Sequence, residues 1–460
     1  MTTNIDTLNQ LSSSQKRHLL SQLIRDKSAS QKSVKSHVWG NKKFLEDSEA
    51  SGFLYGGIPV MDGMSGSHIK RDGRELINLS GINFLGLQQE QHFIDMFCEN
   101  TRQYGLATGG SRLTQGVCRP HLLLEQKMNE IWQKEYTLTF GTGALANIGF
   151  MNAMTSSFGF DETVTIDNHD VVFVLDRDCH WSLWNPLSGL KFGSQVFAFK
   201  HNDPSSLEQV LKTIQSPKIV VVFETVYSSD GSIAPVDQLL DICERYGALS
   251  YVDDANGFMI YGNPNRPFYK EYQTLKRATF IMVSFSKAVG IEGGAISGPE
   301  EFVKSFEILS GTSLFTATMQ PATAATNLEI INYLESHPEI MDNYLKRCLQ
   351  LRENLIDLGF HLNDTPSYIT SIIIGEDEVA EQVRRDLLEM GYCIPIFRYP
   401  AVERGKALIR LMINNKHTDE DINLFVESLK KVRERYKFGL TDHQKISSQS
   451  SSVSNLGYSF

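Results

Sequence analysis

The sequence predicts an α/β protein with a large domain on a mostly parallel sheet and a smaller α+β domain after it. Short apolar runs typical of buried strands alternate with amphipathic helices from about residue 136 to residue 283, as βαβ units require. From about residue 323 the pattern changes to long amphipathic helices separated by short strands. The predicted organisation is an N-terminal arm (1–77), a large domain (78–322), a smaller C-terminal domain (323–437) and a disordered tail (438–460).

The composition excludes several classes of protein. The chain has 460 residues and a net charge of -10 without a long basic run, so nucleic acid is not an expected partner. No window approaches the roughly 18 to 20 apolar residues of a membrane span, and the first 30 residues lack a signal-peptide core. Six cysteines without metal-binding spacing predict a cytoplasmic protein with free thiols and no metal site.

The first unit of the large domain predicts a phosphate site. A strand at 136–140 runs into a turn of small residues, Gly141, Thr142, Gly143 and Ala144, which opens a helix. Backbone N–H groups at such a turn lie at the positive end of a helix and suit a phosphate group. A glycine turn alone is weak evidence for this site.

The next units continue the alternation of strands and helices. His180 follows a strand at 171–176, at the sheet edge where ligands of parallel sheets bind. Asp203 and Pro204 begin a helix, a buried strand is predicted at 219–223, and a helix at 236–246 ends at a glycine. On its spacing alone, His180 is a loop histidine without a defined role.

Two further apolar runs end in residues of complementary chemistry. The run that begins at Leu249 ends in Asp253, and the run 279–283 is followed closely by Lys287 and a cluster of glycines. A lysine in this position can lose solvation until its neutral amine reacts with a carbonyl. Pyridoxal 5'-phosphate requires this pair, because the lysine forms the Schiff base and the aspartate keeps the pyridine nitrogen protonated. A surface lysine on a turn is the simpler interpretation of Lys287 taken by itself.

The smaller domain is predicted from longer periodic patterns. Amphipathic helices are expected at 338–358 and 378–390, each ended by a glycine, and a strand at 408–414. A capped helix begins near Thr418. Arg410 on this strand has a planar guanidinium that could bind a carboxylate through two hydrogen bonds.

Residues from about 78 to 436 resemble the α-oxoamine synthases, which are fold-type I pyridoxal phosphate enzymes with an aminotransferase-like, seven-stranded sheet. This family includes 8-amino-7-oxononanoate synthase, 5-aminolevulinate synthase, serine palmitoyltransferase and 2-amino-3-ketobutyrate ligase. The first matching motif is the asparagine, aromatic, leucine, glycine signature at 83–86. The second is the glycine-serine-arginine segment at 110–112, followed by Gly116, His121 and Glu125. The others are the segments 224–231 and 253–256 and the lysine turn at 284–294.

The resemblance implies a role for each residue of a cofactor and substrate site. The catalytic residues would be Lys287, Asp253 and His180, the last stacking on the cofactor ring. Further cofactor contacts would be Thr142, Gly143 and Ala144 at the phosphate, Ser228 and Asn256 at the phenolic oxygen, and Ser284. Thr316 would lie on a segment that reaches the phosphate bound by the partner, in a homodimer with shared active sites. Substrate contacts would be Asn83 and Arg410. We interpret His121 as a packing or capping residue outside the site.

The activity implied by the resemblance is decarboxylative condensation of an amino acid with an acyl thioester, giving an α-amino ketone. An aminotransferase or another enzyme acting at Cα is an alternative within the same fold. A binding protein that kept the fold without the chemistry is an alternative of another class, and it has no need for Lys287, Asp253, His180 and Arg410 together. The sequence does not distinguish coenzyme A from a carrier protein as the thioester donor.

The chain departs from the family pattern at two cofactor positions, and its N-terminal arm has an open role. Asn256 stands where the family has a histidine, and Ala144 stands where the family usually has an aromatic residue. The arm contains an amphipathic segment at 11–24 in which Leu19, Leu20, Leu23 and Ile24 form one apolar stripe. Such a segment packs on the domain or on a dimer partner, or else it resembles the linker helices of multidomain assembly lines and indicates an acyl-carrier protein partner.

Overall fold

A computed structural model describes residues 40–50, 59–261, 270–399 and 401–439. The amphipathic segment 11–24 lies outside the described residues, as does the predicted tail except for its first two positions. Within the described residues the predicted alternation of strands and helices is confirmed. Ten α-helices of the described residues are at least eight residues long, and the bounds of all helices and strands follow.

The strands, numbered in chain order, form one large sheet and three small ones. Their bounds are β1 His68–Arg71, β2 Arg74–Asn78, β3 Tyr136–Phe140, β4 Ser157–Gly159, β5 Thr165–Asp167, β6 Val172–Asp176, β7 Val196–Phe199, β8 Ile219–Glu224, β9 Leu249–Asp253, β10 Phe280–Ser284, β11 Gly294–Gly298, β12 Thr370–Gly375, β13 Tyr392–Cys393, β14 Ile396–Phe397 and β15 Ala407–Leu411.

The α-helices are numbered in the same way. Their bounds are α1 Asn41–Ala50, α2 Gln91–Tyr104, α3 Arg119–Trp132, α4 Gly143–Met154, α5 Trp181–Trp184, α6 Pro204–Leu211, α7 Val236–Arg245, α8 Glu300–Val303, α9 Phe306–Leu309, α10 Gly311–Leu314, α11 Pro321–Ser336, α12 Glu339–Asp357, α13 Asp377–Glu389 and α14 Asp419–Tyr436. Short 3₁₀ turns occur at Leu87–Gln89, Asn185–Leu187 and Lys270–Arg277.

The large sheet has seven strands in the order β3-β11-β10-β9-β8-β6-β7. The neighbours β10, β9, β8, β6 and β7 pair in parallel, and β11 is antiparallel to both β10 and β3. All six residues of β8 are buried, as expected for a strand covered by helices on both faces. The fold is therefore the mostly parallel seven-stranded, aminotransferase-like fold that the sequence predicts.

The N-terminal and C-terminal parts of the described chain share a sheet. Strand β2 pairs with β1 on one side and, in parallel, with β13 from the C-terminal part on the other. A separate antiparallel sheet has the order β12-β15-β14. The domain boundaries remain a prediction, and this pairing joins the end of the predicted arm to the smaller domain.

Strand β15 is shorter than the predicted strand 408–414. Its partner β12 starts with Thr370 opposite Leu411, so the hydrogen-bonded ladder ends there. Beyond it the chain turns toward the N-terminal part, where the backbone N–H of Asn415 donates to the carbonyl of Phe84 at 2.7 Å. The two predicted helices of this part lie within one residue of their expected bounds, as α12 and α13.

Local capping agrees with the sequence patterns. The Asp203 side chain accepts from the backbone N–H of Ser206 at 3.0 Å, and Thr418 and Asp421 form a reciprocal capping box at the start of α14. His121 is fully buried in the first turn of α3, where its ring contacts Cys118 and the carbonyl of Met319. These contacts agree with a packing and capping role for His121.

Candidate active site

The carboxyl ends of the central parallel strands bring the predicted chemical groups together. Strand register places Glu224 opposite Asp253 and Asp253 opposite Met282, and Lys287 lies on the turn that follows β10. In open parallel sheets this edge is where ligands bind. Each of these side chains therefore faces one region, although they come from separate parts of the sequence.

Lys287 is half-buried and makes no hydrogen bond or ion pair with the described residues. Burial and the positive charge of Arg410 lower its pKa to about 8, although Asp253 and Glu224 act in the opposite direction. A neutral amine is therefore available at lower pH than for an exposed lysine. This is the protonation state that attack on a carbonyl requires.

Asp253 is buried at the end of β9 and has a defined orientation. One carboxylate oxygen accepts from the amide Nδ2 of Asn147 at 2.8 Å, and the other accepts from the backbone N–H of Ala255 at 3.0 Å. Burial raises the pKa of Asp253 above its ordinary value, and these two hydrogen bonds and the charge of Lys287 offset only part of that rise. The two donors favour the ionised carboxylate, which is the form that can hold a protonated pyridine nitrogen.

His180 lies four residues beyond the end of β6 and caps the short helix α5. Its backbone N–H donates to Glu224 Oε1 at 2.6 Å, and its Nδ1 lies 2.7 Å from Ser182 Oγ. Burial, followed by the positive charges of Lys287 and Arg410, lowers the pKa of His180 to about 4. The imidazole is therefore neutral at physiological pH, which suits an aromatic ring that stacks on a ligand.

The turn into α4 forms a close-packed cradle. A Cβ on Gly143 would lie 2.7 Å from Ser284 Cβ, and a Cβ on Gly294 would lie 2.7 Å from the Cα of Gly143. Thr142 caps the helix by accepting from the backbone N–H of Leu145 at 3.2 Å. Because only glycine permits this approach, the helix end, Ser284 and the lysine turn are held together around a positive N-terminus that suits phosphate.

Arg410 on β15 is a buried cation without an acidic partner among the described residues. Its Nη1 donates to the carbonyl of Ser228 at 2.8 Å, its guanidinium lies 4.3 Å from the ring centre of Phe397, and its Nε has no hydrogen-bond partner. Burial lowers its pKa to about 10. A buried guanidinium with a free donor is costly unless an anion pairs with it, so this site suits a carboxylate ligand.

The remaining predicted residues lie around this group. Asn256 is buried, donates to the carbonyl of Val226 at 3.2 Å and lies 3.5 Å from the hydroxyl of Tyr368. Asn83 has a buried Oδ1 without a partner among the described residues, and its backbone carbonyl accepts from Asn414. Thr316 lines a small cleft beside Gly141 with Arg112.

Sequence reasoning missed four polar residues of this region. They are Asn147, Tyr251, Glu224 and Tyr368, and all four are buried. The hydroxyl of Tyr251 donates to Asn147 at 2.7 Å, and burial and the charge of Asp253 raise the pKa of Glu224. Asn147 lies in the stretch that opens α4, so its position next to the phosphate turn was the available signal. Tyr368 follows no motif and reaches the site only through the packing of the smaller sheet.

The described residues fit pyridoxal 5'-phosphate. The half-buried lysine of lowered pKa suits the aldehyde, and the buried, oriented aspartate suits the ring nitrogen. The neutral histidine suits the ring face, and the helix end built from glycines suits the phosphate. Among the described residues there is no cluster of His, Cys, Asp and Glu that could hold a metal ion. Among the described helices, none combines the length and the hydrophobicity that a membrane span requires.

Comparison with known proteins identifies the family of the chain. Residues 74–429 match the family described as aminotransferase class I and II. The chain is 30% identical to an 8-amino-7-oxononanoate synthase from Thermoanaerobacter pseudethanolicus over 394 residues, covering 85% of this chain and 96% of that protein. It is 27% identical to the enzyme of the same name from Nitrosococcus oceani, covering 82% and 97% of the two chains.

Solved structures support the same fold. A serine palmitoyltransferase variant from S. paucimobilis with bound pyridoxal phosphate superposes with a TM-score of 0.77 at 24% identity, covering 88% of this chain and all of that one. An 8-amino-7-oxononanoate synthase from Francisella tularensis gives 0.64 at 18% identity, covering 79% and 98%.

The fold and the site together define a fold-type I pyridoxal phosphate enzyme. The chain belongs to the class I and II aminotransferase family and, within it, to the α-oxoamine synthases. It is accordingly a pyridoxal phosphate-dependent acyltransferase that condenses an amino acid with an acyl thioester.

Proposed function

We propose that the residues around Lys287 carry out this decarboxylative condensation, with Arg410 binding the carboxylate of the amino acid. The observation that supports this role is the buried guanidinium of Arg410, which has a free Nε donor and no acidic partner among the described residues. The charge of Arg410 also lowers the pKa values of Lys287 and His180, so these three groups lie close enough to interact. An anionic substrate would give the buried guanidinium of Arg410 the acidic partner that the described residues do not supply.

Pyridoxal phosphate, when bound, supplies an electron sink that stabilises a carbanion at Cα of the amino acid. In our proposal Lys287 and Asp253 hold the cofactor at its aldehyde carbon and ring nitrogen, and Gly143 and Ala144 donate backbone N–H groups to its phosphate. His180 covers one face of the ring. Ser284, Thr142, Ser228, Asn256 and Thr316 complete the proposed contacts, and Asn83 lies on the substrate side.

The titratable groups of the site suit removal of a Cα proton from the amino acid. The amine of Lys287, with its pKa near 8, can accept a proton once it is released from the cofactor. Asn147 and Ala255 donate to Asp253 and so favour its ionised form, which opposes the burial that raises the pKa of both Asp253 and neighbouring Glu224. The condensation then releases a thiol and CO₂ for each C–C bond formed.

The direct test is product formation over a matrix of amino acids and acyl thioesters. We expect thiol and CO₂ to be released in equal amounts for the preferred pair, measured with a thiol reagent and a coupled CO₂ assay. Acyl groups on coenzyme A and on a carrier protein are compared, since the proposed carrier-protein partner is one of the two possible donors. Transfer of the amino group to a keto acid without thiol release would instead indicate an aminotransferase.

We also propose a homodimer in the cytoplasm. Large apolar side chains that are unusually exposed occur on neighbouring segments, with Leu106 at 75% and Phe315 at 85% exposure. Thr108 and Thr318 lie 2.6 Å apart and link these two segments. A second copy of the chain would cover this surface and bring its own Thr316 segment to the site.

All six cysteines are free, as expected in a reducing compartment.

Arg410→Lys is expected to raise the KM for the amino acid by about 10- to 100-fold, because hydrogen bonds to a charged group contribute about 1.5–3 kcal/mol. The KM for the thioester should change far less, since only the carboxylate end loses its two-pronged donor. Steady-state kinetics with each substrate varied in turn measures the difference. Equal changes in both constants would mean that Arg410 is structural, holding the Ser228 carbonyl.

Asn256→His is expected to retain cofactor binding while moving the pH titration of the bound cofactor's visible absorbance. Histidine adds a titratable proton near the ring, whereas asparagine has none. Asn256→Ala should also move the titration and, by leaving the Val226 carbonyl and the Tyr368 hydroxyl without this partner, cost about 1–3 kcal/mol of stability. Unchanged titrations and amino acid preference in both variants would place Asn256 outside the cofactor's contacts.

A further inference from the structure

A single buried amide connects Asp253 with His180. Asn147 lies on α4 and is 2% exposed. Its Nδ2 donates to Asp253 Oδ2 at 2.8 Å and to Ser182 Oγ at 2.9 Å, and its Oδ1 accepts from the hydroxyl of Tyr251 at 2.7 Å. Both N–H groups and the carbonyl of this amide are therefore used, and its orientation is fixed.

On one side, Asn147 is one of two hydrogen-bond donors to the Asp253 carboxylate. A buried carboxylate is stable only when donors favour its charged form, and Asp253 has two, from Asn147 and from the backbone of Ala255. With Oδ2 held by Asn147, the carboxylate plane is set and one lone pair of that oxygen remains for a further donor. The amide thus supports both the charge and the direction of Asp253.

On the other side, Asn147 acts on His180 through Ser182. Because Ser182 Oγ accepts the amide N–H, its own hydrogen can be donated to His180 Nδ1, 2.7 Å away. The backbone N–H of Ser182 also donates to Nδ1, at 3.3 Å. With two donors directed at it, Nδ1 is an acceptor, so the neutral ring carries its proton on Nε2.

We propose that Asn147 is a positioning residue that sets the ionisation of Asp253 and the tautomer of His180 at the same time. This inference rests on the proposed function only in taking these two residues as cofactor contacts. Asn147 needs no contact with substrate or cofactor to act in this way. One helix position then controls two residues that come from different strands.

The charged and titratable groups that face Asp253 are Lys287, Glu224, Tyr251 and Cys179. Asn147→Leu leaves all of them in place and removes one donor to the ionised carboxylate. The pKa of Asp253 should rise, so its ionised form is reached only at higher pH. In a plot of kcat against pH, the rise on the acidic side (the acid limb) should therefore move to higher pH. The loss of one hydrogen bond to a charged group corresponds to a shift of roughly one pH unit or more.

The experiment compares Asn147→Leu, Ser182→Ala and a matched control in the cofactor-loaded enzyme. Ser182→Ala breaks the link to His180 but leaves the amide on Asp253, so its acid limb should stay near that of the parent. The control is Asn129→Leu, which removes another helical asparagine that accepts from a hydroxyl, that of Thr137 at 2.6 Å, away from the site. An acid limb that moves equally in Asn129→Leu, or not at all in Asn147→Leu, would overturn the proposal.

A second measurement does not depend on turnover. In cofactor-free protein labelled with ¹⁵N-histidine, the His180 signals are assigned by their loss in His180→Gln. We expect Nδ1 to be unprotonated in the parent and in Asn129→Leu, and a mixture of tautomers in Ser182→Ala and Asn147→Leu. A proton on Nδ1 in the parent, or an unchanged tautomer in Ser182→Ala, contradicts the proposal even if Asn147→Leu fails to fold. Absence of thiol release by the parent enzyme would instead contradict the proposed function and leave this measurement intact.

Discussion

Lys287→Ala is expected to lose the covalent, borohydride-reducible attachment of pyridoxal phosphate and to reduce turnover by about 10²- to 10⁴-fold, the range for a lost acid–base group. The parent enzyme should bind the cofactor with visible absorbance, and reduction followed by peptide mass spectrometry should place the pyridoxyl group on Lys287. Since the pKa of Lys287 is lowered to about 8, the neutral amine is the main form above that pH. The rate of attachment to cofactor-free protein should accordingly rise as the pH increases through about 8 and then level off.

Lys134 provides a matched control for this prediction. It is another partly buried lysine whose pKa is lowered by burial, but its Nζ donates to the carbonyls of Lys276 and Ala278 away from the site. Lys134→Ala should retain the reducible attachment. A modified lysine other than Lys287 in the parent enzyme, or an active-site adduct that persists in Lys287→Ala, would rule out the assignment.

Asp253→Asn is expected to lower kcat by about 10²- to 10³-fold, the range for losing one preorganised electrostatic contact. A neutral amide cannot hold the pyridine nitrogen protonated, so the cofactor loses much of its capacity to accept electrons. The amide is nearly the same size as the carboxylate, and near-native stability is therefore expected. Pre-steady-state measurement of Cα proton exchange, with a thermal unfolding curve of the same sample, separates the chemical effect from unfolding.

Asp176→Asn is the corresponding control for Asp253→Asn. Asp176 is also a buried aspartate at the end of a parallel strand, but it accepts from His201 and from the backbone N–H groups of Asp178 and Asn202. Its replacement should cost stability while kcat per folded enzyme stays within a few-fold of the parent. Near-normal turnover in Asp253→Asn would remove this residue from the catalytic group.

Residues that end regular elements could be predicted from the sequence. Lys287 and Asp253 follow strongly apolar runs, and the parallel arrangement of those runs brings their carboxyl ends to one edge. The helix predicted at 338–358 is observed at 339–357, and Thr418 caps the last helix as predicted, because periodicity and caps are local signals.

Contacts made by tertiary packing could not be predicted in this way. Asn147 sits in a helix pattern that any polar residue could occupy, and its partners lie 35 and 106 positions away in the sequence. Tyr368 reaches Asn256 over 112 positions. The pairing of β2 with β13 joins two-residue and five-residue strands that carry little periodic signal of their own.

The association of the two ends of the described chain separates the proposed site contacts into two groups. Asn83 and Phe84 are bound to the C-terminal part through Asn414 and Asn415, and Arg410 lies on β15 in that same part. The proposed cofactor contacts, by contrast, belong to the middle of the chain, from Thr142 to Thr316. Under the proposed roles, the substrate contacts come from the two ends of the described chain and the cofactor contacts from its middle, so substitutions in different parts of the chain alter the two sets.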